Sequence, residues 1–88
     1  MATCAHLAEL TGDEPAPVTK DGCAGCLAEG RDDWVHLRLC LTCGYVGCCD
    51  SSPRRHASGH YRESTHPVIR SFEDGEYWRW CYADDVLG

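Results

Sequence analysis

Residues 40–66 read CLTCGYVGCCDSSPRRHASGHYRESTH, and the fold turns on what the four cysteines and three histidines in this stretch are for. Cys40 and Cys43 are separated by two residues and followed by Gly44. That spacing lets both sulfurs point at one ion at about 2.3 Å, and the glycine relaxes the turn that follows. Cys48 and Cys49 come next. Ser52 and Pro53 then read as the N-cap and first position of a helix running to about Glu63. His56 and His60, four residues apart, share one face of that helix. A lone histidine is more often a surface or core residue than a ligand. Three within eleven residues, His56, His60 and His66, just downstream of cysteines, point to metal.

Upstream, Cys23 and Cys26 form a second C-x-x-C knuckle, separated from the first by thirteen residues. Two such knuckles predict zinc. A ribbon holding one ion on four cysteines accounts for them alone. It leaves Cys4, His6, Cys48, Cys49, His56, His60, His66 and Cys81 without a role. Spacing by itself leaves open whether His56 and His60 serve one ion or two.

The rest of the chain agrees with a small metal-braced domain. It has 88 residues, 8 cysteines and 5 histidines. A chain this short buries little apolar core and commonly needs a staple. Disulfides would need an oxidising compartment, and the N-terminus has neither a basic start nor an apolar run. The expectation is a cytoplasmic chain with reduced thiols and no membrane span. The formal charge of −6 disfavours a phosphate backbone as partner. There is no internal repeat, and no metalloprotease helix, nucleophile elbow or phosphate loop. The chain reads as a non-enzymatic module, one domain over residues 1–88.

Residues 11–21, TGDEPAPVTKD, read as a loop. Residues 34–39, WVHLRL, alternate apolar and polar as a half-buried strand. Val68 to Phe72 and Glu76 to Tyr82 read as two more strands around a turn at Asp74-Gly75. The period of two puts Trp78, Trp80 and Tyr82 on one face and Tyr77, Arg79 and Cys81 on the other. The predicted class is α+β: a small antiparallel sheet with one or two short helices, cross-braced by zinc.

These residues resemble the UBP-type zinc finger, the ubiquitin-binding domain of many ubiquitin-specific proteases. The likeness runs from Cys4-Ala5-His6-Leu7 through both knuckles, Gly47-Cys48, His56-x-x-x-His60 and His66-Pro67-Val68 to Ser71 and Trp80-Cys81-Tyr82. The three-zinc branch of that family implies a cross-braced pairing. Cys23 and Cys26 would share one ion with Cys48 and His56. Cys40 and Cys43 would share one with His60 and His66. Cys4 and His6 would share the third with Cys81 and one further ligand. The family commonly has a cysteine at that last position; here Asp84 stands there, an acceptable zinc ligand, with Asp85 next to it. The family spacing favours Cys48 over Cys49, which then reads as a small buried residue. Each site would be closed, hence structural.

The resemblance also implies recognition of a protein's free C-terminal tail, with Trp80, Tyr82 and Trp34 as aromatic walls. The family's peptide-binding members carry an arginine where this chain has Asp50, and an aspartate repels a carboxylate. Arg38, Arg54 and Arg55 are the candidates to replace it. The expectation is therefore a monomeric interaction module for a protein or peptide tail. The alternatives are a ubiquitin-tail binder with a rebuilt carboxylate site and a zinc or thiol redox sensor.

Overall fold

The computed structural model describes residues 5–8, 14–76 and 78–87. Cys4 and Tyr77 lie outside the described residues. Among the described residues, five antiparallel strands form one sheet, in the order β2-β1-β3-β4-β5. The strands are β1 (Leu37–Cys40), β2 (Val46–Cys48), β3 (Val68–Ser71), β4 (Arg79–Cys81) and β5 (Val86–Leu87). Among the described residues, three short helices accompany them: α1 (Ala5–Ala8), α2 (Ala24–Ala28) and α3 (His56–Ser64). The class is α+β, as predicted.

The first strand is shorter than the alternation predicts. Val35 is half exposed, while Leu39 and Cys40 are buried. Ahead of Leu37 the backbone no longer makes regular strand pairs. The Val35 N–H donates to the Ser52 hydroxyl at 2.8 Å, and the His36 carbonyl accepts from the Cys49 N–H at 3.0 Å. The same contact moves the start of the helix. Ser52 is buried and its oxygen is taken by Val35, so it caps nothing. Helix α3 begins three residues after Pro53, behind Arg55 in the left-handed conformation (φ 49°) and without a side-chain cap.

The turn at Asp74-Gly75 is where expected. Strands β3 and β4 pair in a register symmetric about it (Val68 with Cys81, Ile69 with Trp80, Arg70 with Arg79). Gly75 has φ 82°, and the Glu76 N–H donates to the Glu73 carbonyl at 3.1 Å. The regular ladder stops at Arg70 and Arg79, short of the predicted strand ends.

Among the described residues, six of the eleven buried apolar ones are cysteines: Cys23, Cys26, Cys40, Cys48, Cys49 and Cys81. The hydrocarbon core is slight, with Leu39, Val46, Val68 and Ile69 as its branched members. The loop before α2 belongs to the body of the fold. The Val18 N–H donates to the Gly44 carbonyl at 2.9 Å, and Glu14 accepts from Arg70 at 2.9 Å.

Candidate metal centres

Among the described residues, the fold gathers ligand-type side chains into three groups, each with its donor atoms within 4.8 Å of one another. The first is Cys23, Cys26, Cys48 and His56; the second is Cys40, Cys43, His60 and His66; the third is His6, Cys81 and Asp84. His56 and His60 fall in different groups, one helical turn apart along α3. Cys49 and Asp85 are in none of them.

The first group is built at the ends of three elements. Cys23 caps α2, and its sulfur accepts from the Cys26 N–H at 3.3 Å. Cys48 closes β2 and accepts from the His56 N–H at 3.2 Å. His56 opens α3 and points Nδ1 at all three sulfurs, at 3.3, 3.4 and 3.6 Å. The Cys26 and Cys48 sulfurs are 3.9 Å apart. Tetrahedral zinc with ordinary bond lengths requires about 3.8 Å between sulfurs and about 3.5 Å between sulfur and nitrogen. The donor set fits zinc in both chemistry and spacing.

Electrostatics make the same point. Burial pushes the Cys26 thiol up to about 12 and raises Cys23 as well. Cys23 and Cys26, this close and this dry, do not stay ionised without a cation between them. The far side of His56 is also fixed. Its Nε2 lies 3.0 Å from Glu29 Oε1, and Arg54 grips the same carboxylate at 3.1 and 2.8 Å. The Arg54 hydrogen bonds hold Glu29 below the usual carboxylate range. A carboxylate behind a ligating histidine fixes its tautomer and orientation. Neither Glu29 nor Arg54 has a spacing signal that marks it in the sequence.

The second group sits between the end of β1 and the middle of α3. Cys43 Sγ is 3.3 Å from His60 Nε2, and Cys40 Sγ is 3.7 Å from His66 Nδ1. Tyr45 stacks on the His60 ring at 4.4 Å. Cys40 is buried, and burial raises its thiol; Cys43 is exposed. The third group joins α1 to the far edge of the sheet. His6 Nδ1 lies 3.4 Å from Cys81 Sγ and 3.3 Å from Asp84 Oδ2. All seven described cysteines are free.

Away from these groups, Trp80 and Tyr82 line a cleft of about 290 Å³ together with Trp78, Arg38, Cys49 and Asp50. The alternation along β4 produces this face while Cys81 turns inward against Val68. Trp34, expected as a third wall, is not among the cleft's lining residues. It packs against the Cys23, Cys26 and Cys48 cluster and over Gly22. Arg38 and Trp78 line the cleft without having been singled out as walls. Of the candidate cations, Arg54 is committed to Glu29, and Arg38 alone lines the cleft.

Clustered cysteine and histidine groups at the junctions of short elements define a zinc-binding, metal-braced domain. Comparison with known proteins gives it a family. The profile described as "Zn-finger in ubiquitin-hydrolases and other protein" matches residues 23–87, and the chain belongs to that family. It is 34% identical over 74 residues to the NAD-dependent deacetylase sir2A of Dictyostelium discoideum. That match covers 84% of this chain and 12% of the deacetylase. The solution NMR structure of protein RPA1320 from Rhodopseudomonas palustris superposes with a TM-score of 0.84 at 44% identity. That alignment covers 99% of this chain and 81% of the other. Among the described residues, no helix is long and apolar enough to cross a membrane.

Proposed function

We propose that this chain is a non-enzymatic interaction module that holds three structural zinc ions and takes a peptide's C-terminal tail in its aromatic cleft. Cys23, Cys26, Cys48 and His56 bind the first ion. Cys40, Cys43, His60 and His66 bind the second. His6, Cys81 and Asp84, with Cys4 as fourth ligand, bind the third. All twelve ligands come from the chain, so no ion keeps an open position for water or substrate.

The observation that carries the binding role is the cleft itself. It has Trp78, Trp80 and Tyr82 as walls and an arginine, Arg38, at its edge. Aromatic walls with a few placed polar groups are the usual make-up of a ligand site. Arg38 supplies the cation that Asp50 cannot. Calorimetric titration with a glycine-ended peptide, free and amidated, tests the reading. Measurable affinity that is lost on amidation supports it; equal affinity for both, or none for either, counts against it.

A redox role is the second reading, favoured by the exposure of Cys43 within the second group. Mild peroxide would then release zinc while denaturation alone is absent. Retention of all zinc under peroxide excludes it.

A further inference from the structure

The cleft carries two opposite charges that do not meet. Arg38 donates to the Leu37 carbonyl at 3.0 Å and stacks over the Trp78 ring at 4.5 Å. Asp50 accepts a hydrogen bond from the Ser58 hydroxyl. Both line the cleft, yet among the described residues neither lies within ion-pair distance of an opposite charge. The chain has 14 acids against 8 bases, and Arg31, Arg54 and Arg70 are each paired with a carboxylate. Among the described residues Arg55, Arg62 and Arg79 likewise have no carboxylate within ion-pair distance, but of these arginines Arg38 is the one that lines the cleft, which it shares with an exposed aspartate.

Each charge is held by neighbours rather than by the other. Groups positioned in advance cost a ligand less ordering on binding. A cleft of about 290 Å³ is at the small end of ligand sites and holds two or three residues. The complementary occupant carries a carboxylate and a cation close together, with an apolar stem between aromatic faces. A lysine side chain has such a stem and lies well along aromatic surface.

We infer that this cleft selects peptide tails with a basic side chain among their last three residues: Arg38 takes the terminal carboxylate and Asp50 takes the cation. The inference rests on the tail-binding reading above. It makes Asp50 a specificity residue where a carboxylate would otherwise look out of place. An acidic side chain at the same place meets like charge and is rejected.

The test is calorimetry on the zinc-loaded 88-residue chain with free-acid hexapeptides. Lysine is placed at the last, penultimate or third-last position and compared there with norleucine and glutamate. At one of the three positions lysine should bind about fivefold tighter than norleucine, the size of a partly exposed ion pair, and glutamate more weakly. Asp50→Asn keeps the acceptor for Ser58 and should erase the difference. Asp50→Lys should reverse it in favour of glutamate. Zinc content shows that each variant is folded. A flat response at all three positions, or a lysine preference that survives Asp50→Asn, overturns the inference and leaves the tail reading standing. No binding by any free-acid peptide overturns both. Free lysine binding as tightly as the peptides overturns a peptide as the occupant.

Discussion

Gly25 lies inside the first knuckle, where a Cβ would stand 2.5 Å from the His56 ring. The ring cannot retreat without leaving the three sulfurs. Gly25→Ala should therefore cost about 2 kcal/mol or more, in the range of overpacked cores, and weaken zinc at the first group while the other two keep theirs. Chelator competition on the variant checks this. Gly44 is constrained twice: its φ is 86°, and a Cβ there would clash with the Ala16 carbonyl oxygen. The sequence shows why glycine suits that turn but not that another loop lies against it. Glu29 is a finding of the structure alone. Glu29→Gln keeps the shape behind His56 and removes the charge, so zinc affinity at the first group should fall about tenfold. Unchanged affinity in a competition titration would mean that the His56 to Glu29 contact orients nothing.

At the scale of elements, the legible parts are those with a local signal. The two knuckles, the period of two in β4 and the turn at Asp74-Gly75 all appear where spacing puts them. The misplaced parts depend on contacts between distant segments. Ser52 has the residue type and following proline of an N-cap, but Val35, seventeen positions away, claims its hydroxyl. Strands β2 and β5 and the turn α1 are too short to carry a periodic pattern, so nothing in the sequence announces them. Trp34 has the composition of a binding wall, and only the packed fold assigns it to the metal side. Helix α1 makes a prediction of its own. It meets β4 through His6, and Leu7 packs near Val68 and Cys81. His6→Ala should leave the α1 amides unprotected in hydrogen exchange while β1 and β3 stay protected. Loss of protection throughout the sheet would mean that the third group braces the whole domain.

At the scale of the molecule, cysteines are the majority of the buried apolar residues among those described, so the interior is organised around donor atoms more than around hydrocarbon. Folding and zinc binding are then one equilibrium, and full chelation should abolish the near-UV circular dichroism of the tryptophans. α3 joins the first group to the second, and β1 and the sheet join the second to the third. The most direct test is native mass spectrometry of the 88-residue chain purified without added metal, followed by the same sample denatured. Three zinc ions per chain, with all eight cysteines reduced after denaturation, is the predicted result. One zinc per chain, or disulfide-linked cysteines in the denatured sample, would contradict the account.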